Sequence, residues 1–288
     1  YHYVDMNSGE IALVGKQFPA LTAGDIGSSK FFHYAARDGL QIPAYLTLPN
    51  GSSGRGLPLV VMPHGGPEAR DTGGYDQWAQ FLASRGYAVL QPQFRGSDGF
   101  GKAFRNAGRH EWGKKSQDDI TDGVKHLVST GVADGSRVCI VGWSYGGYAT
   151  MAGMTFTPEM YRCGFAGAGV SDLPKMLGWV RQKMGRDFRD DDYWPRVMGH
   201  PIKDSEALAA SSPARFAANI RAPLMMIHGK DDTVVPLEQS EIMLEAMKKA
   251  GKQGQLVVVG GDDHWLSKST TGIEFFTLLE NFLGQHLK

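Results

Sequence analysis

No charge of either sign predominates in this chain: thirty lysines and arginines are balanced by thirty aspartates and glutamates. That balance, with no basic stripe, argues against nucleic acid or an anionic membrane surface as partners. Long apolar runs are missing too, and none approaches the roughly 18–20 residues needed to cross a bilayer. Cysteine is scarce. Cys139 and Cys163 lie in separate apolar segments without metal-ligand or CxxC spacing, and the expectation is two buried thiols. They assign no compartment, cytoplasmic or periplasmic. HExxH, GxGxxG and Walker A patterns are also absent, so no metal and no cofactor is expected.

The opening stretch "YHYVDMNSGEIALVG" has neither the basic nor the apolar region of a signal peptide. It reads as a hairpin turning at Asn7-Ser8-Gly9. A lone hairpin is marginal in water, so it is expected to be the end of a preceding domain built of β-hairpins. A second hairpin follows over residues 30–49, turning at Asp38-Gly39.

From residue 57 onward, apolar strands alternate with amphipathic helices. Strands are expected at 57–62, 87–93, 137–142, 163–170, 222–229 and 254–260, and helices near 76–86, 118–130, 146–157, 237–250 and 271–287. Residues 171–213 read as one long irregular stretch. The strands are near-continuous apolar runs, as in a parallel sheet covered on both faces. The expected class is therefore α/β, with a mostly parallel eight-stranded sheet and helices on both faces. At 288 residues and 42% hydrophobic content, one large core accounts for most of the chain.

The chemistry concentrates in "GWSYGGY" at 142–148. A strand ends at Gly142 and a helix begins just past Ser144, the arrangement in which a sharp turn exposes a nucleophilic hydroxyl. A serine needs a base and an orienting acid. Both follow at later strand ends, in the order Ser, Asp, His: "HGKDDTVVP" offers Asp231 and Asp232, and "GGDDHW" offers His264. The Gly-Gly loop of "MPHGGPEAR" can aim a backbone N–H at a developing oxyanion, so Gly66 and Tyr145 are the candidate donors. His64 and His228, beside glycines at strand ends, read as loop-fixing imidazoles. His126, in a charged helix, reads as solvated.

Taken together, "HGGP", "FRGSDGFGKAFRNAGRHEWG", "GWSYGGY", "HGKDDTVVP" and "DDHW" resemble the catalytic domain of the prolyl oligopeptidase family of serine peptidases. The acylaminoacyl-peptidase and dipeptidyl-peptidase branch is the nearest in pattern, over about residues 30–288. The resemblance implies an α/β-hydrolase fold and selects Asp232 over Asp231, because the family's acid stands four residues after the histidine of the "HG" pair. It also implies a β-propeller before the hydrolase domain, with residues 1–29 as its last strands plus a linker and residues 30–288 as the catalytic domain. One departure is Trp265, where a small residue usually follows the catalytic histidine.

By the same analogy Val170, Leu173 and Val235 are candidates for an apolar specificity pocket, with ordinary packing as the alternative. Arg95 is a candidate for holding a substrate carbonyl, or else for fixing loops. The run Asp190-Asp191-Asp192 reads as a solvated loop. The implied activity is hydrolysis of short peptides through an acyl-enzyme. A carboxylesterase on short acyl esters and a non-catalytic binding domain are the alternatives, and a homo-oligomer is left open.

Overall fold

The computed structural model describes residues 1–189 and 191–287. Its first sheet is the small antiparallel pair β1 (His2–Val4) and β2 (Ile11–Leu13), every strand residue of which is exposed. The second hairpin, β3 (Ser28–Ala35) and β4 (Gln41–Leu48), belongs to the main sheet. There follow β5 (Leu57–Val61), α1 (Gln77–Ser84), β6 (Ala88–Pro92), α2 (Lys102–Asn106), α3 (Lys115–Ser129), β7 (Ala133–Trp143), α4 (Tyr145–Phe156) and β8 (Cys163–Gly167). The chain continues through α5 (Leu173–Met184), α6 (Tyr193–Met198), α7 (Ser205–Ala210), β9 (Leu224–Gly229), α8 (Glu238–Lys249), β10 (Gly254–Val259) and α9 (Ser269–His286).

The main sheet has eight strands in the order β10-β9-β8-β7-β5-β6-β4-β3. Strands β5 to β10 run parallel, and the β3–β4 hairpin closes one edge with antiparallel pairing. The fold is that of an α/β-hydrolase. Alternate residues of the central strands serve the two faces. Leu59 and Val61 pack in the core under α3, α4 and α8, while Val60 and Met62 pack in the core under α1 and α9. Burial on both faces is what the continuous apolar runs anticipate.

Strand order reverses at β5, which has β6 on one side and β7 on the other. The point of reversal, beyond the carboxyl ends of β5 and β7, is where α/β sheets offer a crevice to their ligands. The "HGGP" loop leaves β5 there and the Ser144 turn leaves β7.

Four expectations require correction. Cys139 and Cys163 are buried but are not separate thiols: they sit opposite each other in the β7–β8 register, with Cα atoms 4.8 Å apart, and form a disulfide. The stretch 171–213 is not irregular, for it contains α5, α6 and α7. Asp172 caps α5 by accepting from Lys175 N at 3.0 Å, Pro174 lies in its first turn, and Gly185 ends it in the left-handed conformation at φ 65°. Those three residues are helix start and stop signals that the surrounding polar residues obscure. Asp190 lies outside the described residues. Asp192 is paired with Arg186 at 2.8 Å and begins α6, so it is not merely solvated. His126 likewise is half-buried and stacks on Phe32 and Tyr34.

Candidate active site

Ser144 stands between the last residue of β7 and the first of α4, at φ 59° and ψ −118°. A non-glycine residue held in that region costs on the order of 1–3 kcal/mol and persists only when its surroundings determine it. Here they do. Ser144 N donates to Gly167 O at 2.8 Å, and Ser144 O accepts from Tyr148 N at 3.0 Å. The flanking glycines allow backbone to approach backbone: a Cβ on Gly142 would lie 2.3 Å from Gly146 O, and one on Gly146 would lie 2.1 Å from Pro63 O. The Ser144 side chain does not cap α4 and has no hydrogen-bond partner among the described residues.

The candidate acid and the candidate base meet across two loops. His264 Nδ1 lies 2.6 Å from Asp232 Oδ2, with both side chains buried. Burial alone would raise the Asp232 pKa. Hydrogen bonds from His228, His264 and the backbone N–H of Val235 more than offset it and hold the carboxyl well below the usual carboxylate range. Oδ1 accepts from Val234 N at 2.7 Å and Val235 N at 2.9 Å. Oδ2 also lies 3.2 Å from His228 Nε2. A carboxylate that only accepts, next to Nδ1, requires the proton on Nδ1 of a neutral His264 and leaves Nε2 as the basic nitrogen.

Residues that sequence reasoning passed over hold these loops together. His228 reads in sequence as a loop-fixing imidazole, and its ring indeed bridges Ser240 Oγ at 2.7 Å and Val235 O at 3.0 Å, but its contact with Asp232 has no local signal. Gly229 lets the Asp232 and His264 loops touch, since a Cβ there would lie 2.3 Å from Asp263 O. Asp263 Oδ1 accepts from Trp265 N at 2.9 Å, which shapes the turn after His264. Trp143 Nε1 donates to the His264 carbonyl at 2.7 Å, tying the base's loop to the residue before Ser144. Trp265 itself turns outward, 69% exposed, so its bulk meets no steric conflict.

Gly65 lies against Ser144, where a Cβ would stand 3.5 Å from Ser144 Cβ. The N–H of Gly66 has no acceptor among the described residues, and Tyr145 N–H is the first of the unpaired donors of α4. Gly66 has φ 126°, and a Cβ there would come within 2.9 Å of Glu68 N. Asp231 is exposed and contributes its backbone N–H to Asp262 O at 3.0 Å.

The remaining candidates lie elsewhere. Arg95 is not free to meet a substrate: it donates from N and Nε to Asp119 Oδ2, both at 2.8 Å, and from Nη1 to Asp38 Oδ2 at 2.8 Å. It therefore fixes loops, joining the end of β6 to α3 and to the β3–β4 turn. Val170, Val235 and Leu173, the first residue of α5, are buried in the core, so in this state they pack and do not line an open pocket.

With the geometry described, relatives are informative. A family model described as "Prolyl oligopeptidase family" matches residues 74–288. Dipeptidyl aminopeptidase BIII of Pseudoxanthomonas mexicana is 36% identical over an alignment of length 296, which covers 100% of this chain and 42% of that protein. Human acylamino-acid-releasing enzyme is 26% identical over 261 residues, 86% of this chain and 34% of that protein. Among solved structures, a puromycin-hydrolyzing peptidase of Mycobacterium tuberculosis superposes with a TM-score of 0.89 at 26% identity, covering 99% of this chain and 43% of that one. An acylaminoacyl peptidase solved with Z-Gly-Gly-Phe-chloromethyl ketone gives 0.81 at 26% identity, covering 91% and 42%. The chain thus spans less than half the length of these relatives.

Three outcomes follow from this geometry. Trp143→Phe leaves the His264 carbonyl unpaired; urea titration should register a loss of about 1–3 kcal/mol. Arg95→Met strands the buried Asp119 carboxylate, for which a loss of about 3–5 kcal/mol is expected in the same titration. For Asp232, whose folded pKa is depressed, the ionised carboxylate stabilises the fold fully above the unfolded value of about 4, and that contribution fades as pH falls toward the folded value. The gap in unfolding free energy between wild type and Asp232→Asn should accordingly narrow below about pH 4.

Proposed function

The chain belongs to the prolyl oligopeptidase family, and from that premise we propose that it is the hydrolase portion of a serine peptidase that cleaves short peptides through an acyl-enzyme. The observation that carries this reading is the 2.6 Å contact between His264 Nδ1 and Asp232, because it leaves Nε2 as the base on a loop that Trp143 ties to the residue before Ser144. In the reaction, Nε2 takes the Ser144 proton as Oγ attacks the scissile carbonyl. The carbonyl electron pair moves onto oxygen, where the N–H groups of Gly66 and Tyr145 receive it. Asp232 stabilises the imidazolium without taking its proton. Nε2–H then protonates the departing amine, the carbonyl re-forms, and an ester to Ser144 remains. Water repeats the cycle and releases the acid. The reaction requires a Ser144–His264 hydrogen bond, and catalytic hydrogen bonds often tighten only with substrate present.

The relatives include acylaminoacyl and dipeptidyl peptidases, and the substrate of this chain belongs to one of those two classes in our reading. Residues 1–29 would then belong with a further, propeller-like domain. The exposed Tyr3, Val4, Ile11 and Leu13 of the β1–β2 pair support this, since an isolated two-stranded hairpin buries too little to be stable.

The test is kcat/KM on an acetyl-aminoacyl anilide, a dipeptidyl anilide and a short p-nitrophenyl ester, with Ser144→Ala as the blank. Anilide turnover that the blank lacks is expected, and the preferred anilide identifies the class. Asp232→Asn should lose about 10⁴-fold in kcat, and Asp231→Asn should stay close to wild type. Turnover of the ester alone would make the chain an esterase; anilide turnover retained in Ser144→Ala would sink the assignment.

A further inference from the structure

Acylation ends when Nε2–H of His264 protonates the departing amine, so the leaving part of a peptide must lie beside that ring. The residue that follows the base is Trp265, the position at which this chain departs from the small residue usual in its family. Its indole is 69% exposed and stands edge-on to the His264 ring, with centroids 5.4 Å apart and planes at 90°. A large aromatic surface left in water directly beside a catalytic base calls for an occupant.

Trp265 forms one wall of an open groove of about 590 Å³, a size at which proteins hold small ligands. Trp143, the residue before Ser144, lines the same groove, so the groove touches the loops of both base and nucleophile. Trp78, Phe275 and the 72% exposed Ile273 complete an apolar surface on the α1 and α9 face of the sheet. The α5–α7 helices pack on the opposite face. A peptide that crosses Ser144 with its acyl part toward those helices therefore carries its leaving part toward the groove. Among the described residues, the only charged one lining it is Lys268, whose ammonium forms no ion pair and no side-chain hydrogen bond. The acids of the same loop are committed elsewhere: Asp263 accepts from Trp265 N and Ser267 Oγ, and Asp262 is buried and accepts from Asp263 N.

Resting on the serine-peptidase reading above, we infer that this groove is a subsite for the leaving group: Trp265 stacks an aromatic or large apolar side chain on the residue after the scissile bond, and Lys268 draws the free carboxylate that ends a short leaving fragment. An indole offers a second ring both a flat face and an edge. An exposed ammonium attracts a carboxylate weakly and in a salt-dependent way. Selection thus comes mainly from Trp265, and Lys268 adds a preference for fragments that end close by. A further domain seated on the groove is the competing occupant. It makes the opposite demand, because turnover by this chain would then be indifferent to the leaving residue.

The experiment keeps the acyl part of the best anilide and varies only what leaves: phenylalanine, alanine or phenylalanine amide from a peptide bond, and methanol from the methyl ester. kcat/KM is measured for wild type, Trp265→Ala, Trp265→Phe and Lys268→Gln, with Ser144→Ala as the blank. Wild type should prefer phenylalanine over alanine by about tenfold, a preference lost in Trp265→Ala and kept in Trp265→Phe. Phenylalanine should exceed its amide by about threefold, a margin lost in Lys268→Gln and in high salt. The methyl ester, whose leaving group is too small to reach the groove, should be turned over by all three variants as by wild type. Added phenylalanine amide should also capture the acyl-enzyme better than alanine amide in wild type but not in Trp265→Ala. That capture reverses acylation: the amine attacks the ester carbonyl, and Nε2 takes its proton and returns it to Ser144 Oγ. Equal use of phenylalanine and alanine by wild type, or a preference that persists in Trp265→Ala, overturns the subsite while leaving the serine reading intact. Equal losses on ester and peptides in Trp265→Ala overturn it too, since the indole would then only support the His264 loop. An acid-over-amide margin unchanged in Lys268→Gln refutes the part assigned to Lys268. Turnover that survives Ser144→Ala defeats the serine reading, and this inference with it.

Discussion

Everything in the site depends on the close approach of backbone to backbone around Ser144. The residue occupies a conformation that an L side chain avoids, and it does so because three chain segments leave no alternative: the end of β7, the start of α4 and the Pro63–Gly66 loop. Glycine at 142 and 146 permits that approach. From it follow the location of the Ser144 side chain at the strand end, the donors at the start of α4, and the location of Gly65 against the Ser144 side chain. The strain is local; the packing of two layers of helices on an eight-stranded sheet supplies the restraint.

The electrostatic half of the site is built differently. Asp232 would be a costly group to bury alone, but four hydrogen-bond donors converge on it, two from its own loop and one each from His228 and His264. Satisfaction of the carboxylate and orientation of the imidazole are one arrangement. The Trp143 indole joins this arrangement to the strand that ends at Ser144, so the three loops that supply Ser144, Asp232 and His264 are linked by hydrogen bonds and not merely by proximity.

Much of this was legible in the sequence because it is encoded locally. Strand and helix alternation follows from periodicity, and the glycines about Ser144 and the order of Ser, Asp and His along the chain need no long-range information. Choosing Asp232 over Asp231 took the family resemblance, and burial with four donors distinguishes the two in the structure. What escaped was set by tertiary partners. The choice between Arg95 as substrate holder and as loop clamp turns on Asp38 and Asp119, which arrive from distant segments, and the choice between pocket and packing for Val170, Leu173 and Val235 turns on their burial in the core. The pairing of Cys139 with Cys163 depends on the β7–β8 register, which residue spacing does not reveal. The helix α5 is a different kind of omission, since its cap, proline and terminal glycine are all present in the sequence.

The crowding at the glycines has an evolutionary side. A Cβ at Gly142, Gly146, Gly147 or Gly229 would collide with a main-chain oxygen, and no side-chain rearrangement relieves a collision with backbone. Single substitutions there are closed to drift, whatever the substrate. New specificities must arise instead in the α5–α7 segment or in whatever packs over the crevice, where side chains meet side chains and small changes can accumulate. The fold thus divides itself into a part that heredity must copy and a part that selection can edit.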